Sequence, residues 1–239
     1  MRISNEEKLM YEVMAAVYDS GIPMNFKGSM VLKACLLEAG FSEDTRHTVD
    51  IDGNWYSDIA PTGKQMVDSL QRALREKNID LDVNLTRMYG EGRSAGFDLT
   101  DANTGEIMFS MDVDVNRPAA STRTYEIDGV RFLGVSPSQM IADKLAAVST
   151  DKLFRRVKDV VDLYYLSGVF VPEKTEIMRA LENSGRTLGD FNGFLHRTDE
   201  LRHSYEKFRF AGDVYKPTFE DVYQKVHRYI REFLPGTQD

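Results

Sequence analysis

The chain has 239 residues, 42% apolar and 28% charged, the composition of a globular protein with length for one or two cored domains. A net charge of −8 excludes generic charge-driven nucleic-acid binding, since that affinity comes from neutralising phosphates with Lys and Arg. A single cysteine, Cys35, excludes an internal disulfide framework and any multi-cysteine zinc site, and no apolar run approaches a membrane span. The expectation is a cytoplasmic protein with no membrane or DNA partner, in which a local basic patch still has room.

In chain order, "NEEKLMYEVMAAVYDSG" has the apolar spacing of an amphipathic helix stopped at Gly21, and "SMVLKACLLEAG" that of a second stopped at Gly40. Cys35 falls at helical spacing with Leu32 and Leu36, as a small core residue does. Alternation over 45–52 predicts a strand, and "GKQMVDSLQRALREKN" a third helix. Strand-like runs follow: "IDLDVNLTRM", "AGFDLTD", "EIMFSMDVDV" and "TYEIDGVRFLGV". The turns "DANTG" and "DG" mark hairpins, so the sheet is at least partly antiparallel. From "SPSQMIADKLAAV" onward the pattern is helical, with Ser136 as an N-cap before Pro137. Further helices are expected at about 151–166, 172–183 and 217–233, the last two opened by Pro172 and Pro217. The fold class is therefore α+β, a helix-flanked sheet at 1–136 followed by a helical region at 137–239.

Three strand-like runs carry aspartates one residue apart: Asp50 and Asp52, Asp80 and Asp82, Asp112 and Asp114. Such a pair shares one strand face, roughly 7 Å apart at Cα. The spacing alone does not separate a solvated face from a site. What distinguishes the first pair is the preceding "FKGSMVL", with Gly28 and Ser29 at the mouth of a helix. Glycine admits close approach of a ligand to the backbone, and the free N–H groups of a helix N-terminus favour an anion such as a triphosphate. Two carboxylates opposite suit Mg²⁺ or Mn²⁺ bridging those phosphates.

A small-residue helix mouth followed by Asp-x-Asp on a strand resembles the polymerase-β-like nucleotidyltransferases. Within that superfamily, "FKGSMVL", "RHTVDID", "ADKLAA", "RRVKDVVDLYYL" and "KPTFEDVYQKVHRYI", in this order, resemble the AbiEii/AbiGii-type toxins of bacterial toxin–antitoxin systems. The resemblance implies a polymerase-β-like core and transfer of a nucleoside monophosphate from an NTP to an acceptor hydroxyl. It also implies a metal-dependent reaction, an RNA acceptor such as the tRNA 3′ end, and a cognate antitoxin. Carried over residue by residue, Gly28, Ser29 and Thr48 are nucleotide-binding, Asp50 and Asp52 are catalytic and metal-holding, and Lys144 and Asp159 are catalytic, Lys144 also meeting the nucleotide. The usual helix mouth is Gly-Gly-Thr/Ser, so the serine followed by Met30 departs from the pattern. A third metal carboxylate is expected from "SMDVDV", with Asp112 preferred over Asp114.

Asp159 and Asp162, three apart on one helix, share a face, so that one reaches the site while the other braces a neighbouring cation. "HRTDELRHSYEKFRF" interleaves basic and aromatic residues in a way that suits either a phosphate grip or an amphipathic core helix. Two other functions remain open at this point: transfer to a small molecule of aminoglycoside type, and a nucleotide-binding regulatory protein without turnover.

Overall fold

The computed structural model describes residues 3–41, 45, 48–117, 120–171, 173–210 and 215–234. Expectations placed on Arg46, His47 and Pro172 lie outside them. The chain divides into two compact units, one made of Arg2–Cys35 and Thr48–Val135, the other of Leu36–His47 and Ser136–Asp239.

The first unit is built on a seven-stranded mixed sheet. Its strands are β1 (Met24–Lys27), β2 (Asp50–Trp55), β3 (Leu81–Tyr89), β4 (Ser94–Asp101), β5 (Ile107–Val115), β6 (Thr122–Ile127) and β7 (Val130–Val135). They lie in the order β3-β4-β5-β2-β1-β7-β6. The pairs β2–β5 and β1–β7 are parallel and the other four antiparallel, as the hairpin turns require. The sheet is therefore partly antiparallel, as expected. One face is apolar, with Ile51, Phe97, Phe109, Met111 and Val113 all buried.

Three helices flank the sheet: α1 (Asn5–Asp19), α2 (Gly28–Glu38) and α3 (Gly63–Glu76). The first starts where Ser4 and Glu7 form a capping box, each side chain accepting the other's backbone N–H at 3.1 and 2.8 Å. Its apolar stripe of Met10, Val13, Met14 and Val17 is buried, and α1 packs on β7. Glu7 also takes the Lys33 ammonium of α2 at 2.6 Å, both side chains buried. The strand expected over 45–52 is shifted: β2 begins at Asp50 and runs to Trp55, because its pairing with β1 and β5 extends through Trp55.

The second unit is helical. Its α4 (Pro137–Val148) begins as expected, with the Ser136 hydroxyl accepting the Gln139 N–H at 3.2 Å. The helix expected over 151–166 is shorter, since Leu153–Arg156 form a 3₁₀ turn before α5 (Val157–Leu166). Then come α6 (Lys174–Asn183), α7 (Asn192–His196), α8 (Thr198–Lys207) and α9 (Phe219–Ile230). The cap of α9 is Thr218, whose hydroxyl accepts the Asp221 N–H at 3.1 Å, so the helix opens after Pro217 rather than with it. Central α5 packs against α4, α8 and α9. No helix among the described residues is long and apolar enough to cross a membrane.

Candidate active site

Strand β1 ends at Lys27 and α2 begins at the next residue, with no loop between them. Such a turn needs a left-handed backbone, and Gly28 supplies it at φ +74°. A Cβ at this position would collide with the carboxylate of Asp52. Gly28 thus does two things: it lets the chain reverse into the helix, and it leaves room for a carboxylate against the helix mouth. Ser29 follows in the first turn, half-buried.

The register places the acidic residues. Asp52 is the cross-strand partner of Lys27 on β1 and of Asp112 on β5, while Asp50 pairs with Ser110 and Asn54 with Asp114. Neighbouring strands lie roughly 4.8 Å apart, so Asp50, Asp52 and Asp112 form a tight triangle of positions on the polar face. All three are half-buried, whereas Asp82 on β3 is exposed. Gly28, Ser29, Asp50, Asp52 and Asp112 are therefore brought together in one unit.

A cavity of about 280 Å³ opens on this face, lined by Lys27, Asp52, Arg87, Tyr89, Ser94, Asp112 and Asp114 among others. The cations in it are engaged. Lys27 Nζ donates to Asp114 Oδ2 at 2.5 Å, and Ser94 Oγ donates to Asp114 Oδ1 at 2.6 Å. Burial alone would raise the Asp114 pKa, but the hydrogen bonds from Lys27 and Ser94 outweigh it and hold the carboxyl below its ordinary value. Arg87 Nη2 donates to both oxygens of Asp112, at 2.7 and 2.9 Å.

Lys27, Arg87, Tyr89 and Ser94 were not legible as site residues. Lys27 had a signal, standing directly before the helix-mouth glycine. Arg87 had none, because its reach depends on the register of β3 with β4.

Hard oxygen donors are the ligands that Mg²⁺ and Mn²⁺ take. The missing Cβ of Gly28 makes room for the Asp52 carboxylate itself, and the oxygens of Asp52 and Asp50 on one strand face are donors of that kind. Among the described residues no group of three or more His, Cys, Asp or Glu side chains is drawn together as a metal site, and Asp112 holds a guanidinium instead.

Thr48 does not share the strand with Asp50 and Asp52 but lies just before it. Its hydroxyl is buried and has no hydrogen-bond partner among the described residues.

Lys144 and Asp159 belong to the helical unit, on α4 and α5. Lys144 Nζ donates to Asp159 Oδ1 at 2.8 Å and to Asp162 Oδ2 at 2.7 Å, within a buried triad. Burial would pull the Lys144 pKa down; Asp162 and Asp159 reverse that and hold it above the ordinary lysine value. Lys144 therefore carries a fixed positive charge and is no base at neutral pH. The second oxygen of Asp159 is buried without a partner among the described residues.

The model of the AbiEii family, described as "Nucleotidyl transferase AbiEii toxin, Type IV TA system", matches residues 10–228. The chain belongs to that family. It is a nucleotidyltransferase, a toxin of a type IV toxin–antitoxin system, with an NTP as substrate and a cognate antitoxin as its counterpart. No curated protein sequence matches it. Among solved structures it is similar to MenT4, a nucleotidyltransferase toxin from Mycobacterium tuberculosis H37Rv. That match has 14% identity and a TM-score of 0.59, and covers 94% of this chain and 81% of the other. At this identity the likeness speaks for the fold alone. A looser match is an antigenic nucleotidyltransferase-like protein from Paracoccidioides brasiliensis, with 21% identity, a TM-score of 0.48, and coverage of 75% of this chain and 87% of the other.

Proposed function

We propose that this nucleotidyltransferase transfers a nucleoside monophosphate from an NTP to the 3′ hydroxyl of an RNA, such as a tRNA, in the cytoplasm. The observation that carries the reading is the junction of Gly28 with Asp52, where an anion-binding helix mouth meets a strand carboxylate. The N–H groups opening α2 and the Ser29 hydroxyl hold the triphosphate. Thr48 offers a buried hydroxyl that a nucleotide oxygen would satisfy. Asp50 and Asp52 hold a divalent cation, Mg²⁺ or Mn²⁺, with Asp112 as the third carboxylate by register. Bound there, the cation supplies Lewis-acid stabilisation of charge on the phosphoryl oxygens. The resemblance gives Lys144 and Asp159 catalytic roles as well; within the helical unit Lys144 is a fixed charge that Asp159 keeps oriented. The work is positioning and electrostatics.

A second reading has support in the same cavity. Three carboxylates and two cations line it, a balance that also suits a cationic small molecule of aminoglycoside type as acceptor. The test incubates the protein with each labelled NTP, Mg²⁺, and either total RNA or an aminoglycoside mixture. Label appearing on RNA is expected; label on the small molecules alone would transfer the proposal to them. NTP binding with no pyrophosphate release from either mixture would refute both acceptors.

A further inference from the structure

Asp112 sits beside Asp52 on the neighbouring parallel strand, yet its carboxylate is held by an arginine from β3, two strands away. The path of that arginine is specific. Gly96 on β4 is the register partner of both Asp112 and Arg87. A Cβ on Gly96 would lie 2.6 Å from Arg87 Nε and 3.1 Å from Asp112 Oδ1. The missing side chain is what lets the guanidinium cross the intervening strand. A register shift between Leu85 and Arg87 turns the strand at that point. The pair is half-exposed, 47% for Arg87 and 49% for Asp112, so it can exchange at little cost.

We propose that Arg87 is a positioning residue that competes with a divalent cation for Asp112. Arg87 holds this carboxylate in the metal-free protein, in line with Asp52, and gives it up when the cation is taken. The released guanidinium stays in the cavity beside Tyr89, whose ring centroid is 5.7 Å from its Cζ, where it faces any phosphate that enters. This rests on the metal reading of Asp50 and Asp52 given above. It also separates Asp112 from Asp114, since Asp114 is held by a different cation, Lys27.

The test is Mn²⁺ binding to the full chain without NTP, read by electron paramagnetic resonance of the free ion, with Asp52→Asn as control. Arg87→Met is expected to tighten Mn²⁺ binding by about 3- to 10-fold, the scale of a freed half-exposed ion pair, while Lys27→Met tightens it less. Thermal melting shows that both variants fold, and Arg87→Gln, which removes the charge but keeps a polar side chain, serves with the same expected tightening if Arg87→Met does not fold. Unchanged affinity in Arg87→Met overturns the proposal. Equal tightening in both variants overturns it too, since that is loss of positive charge anywhere in the cavity. Greater tightening in Lys27→Met overturns it in favour of Asp114. If wild type shows no Mn²⁺ binding that Asp52→Asn removes, the metal reading fails together with the arginine; if it does, only the arginine is at stake.

Discussion

The sheet and the helical unit each hold a lysine or arginine against aspartates, with opposite physical settings. On the sheet, Arg87 and Asp112 are half in solvent, and their neighbours Lys27 and Asp114 about one-third and one-quarter exposed. In the helical unit Lys144 and Asp159 are at 13% and 7% exposure and Asp162 at 0%. Charges in water exchange partners readily, because solvent repays most of what is broken. Buried charges do not, because removal of one partner strands the others in a medium that cannot solvate them. The first arrangement suits a surface that takes and releases ligands. The second suits a charge that has to stay where it is.

The largest effect expected on the sheet is on chemistry rather than stability. Asp52→Asn and Asp50→Asn should each lower turnover by about a thousandfold or more, on the scale of removing one main electrostatic element of a site. Melting should stay level or rise slightly, as a like-charge cluster is relieved. Near-normal turnover in either variant would remove that residue from the site.

In the helical unit the first effect expected is on stability. Lys144→Ala leaves Asp159 and Asp162 buried together and should cost about 3–5 kcal/mol in denaturant unfolding. A loss under about 1 kcal/mol would mean that the triad is solvated in solution. Turnover should fall as well. Lys144→Arg should recover stability better than turnover, because the broad fork keeps the charge but not its place.

Thr48 differs from both regions, since its buried hydroxyl has no partner among the described residues. Thr48→Val keeps the shape and removes the unsatisfied group, so the unliganded protein should gain up to about 1 kcal/mol. If the hydroxyl serves the nucleotide, KM for the NTP should rise at the same time. A destabilised variant would show that the hydroxyl is satisfied in solution.

Much of this was legible in the sequence, for identifiable reasons. Alternation and turn residues report local backbone preference, so six of the seven strands were marked by their own residues, and "DANTG" and "DG" gave two of the hairpins; β1, only the four residues Met24–Lys27, is too short to carry an alternation of its own and was missed. Gly28 was legible because a positive φ at a strand-to-helix junction is a local demand. The bounds of β2 were not, since its pairing runs from Asp50 to Trp55 against partners on β1 and β5. Arg87 was hidden for the same reason, its contact being made by a glycine on one strand and a carboxylate on another. The stretch "HRTDELRHSYEKFRF" shows what local composition leaves undecided. Leu201 and Tyr205 are buried, Arg197 pairs with Glu200, and Lys216 caps the carbonyls of Tyr205 and Phe208 at 2.8 and 2.7 Å. A core-packing role thus accounts for residues on one side of α8, while His203, Lys207 and Arg209 remain exposed.

The smallest effect expected is on acid stability, and it separates the two regions by sign. Asp114 has a depressed pKa in the folded protein, so its contribution is present above the unfolded carboxyl value, about 3.9, and is lost as pH falls through the lower folded value. Lys144 has a raised pKa, so its contribution is complete below the ordinary lysine value, about 10.4, and fades only as pH climbs past the folded one. Titrating the protein from neutral pH toward acid therefore tests Asp114 and leaves the Lys144 ammonium charged throughout. At pH 6–7, Asp114→Asn should melt slightly below wild type, by less than about 1 kcal/mol in free energy, because the carboxylate is partly solvated and Asn still accepts a hydrogen bond. Below about pH 4 the two melting curves should converge as wild-type Asp114 protonates. A gap that stays constant into acid would show that Asp114 acts through packing or neutral hydrogen bonds. The ion pair with Lys27 would then be incidental to the fold, leaving both groups available to whatever enters the cavity.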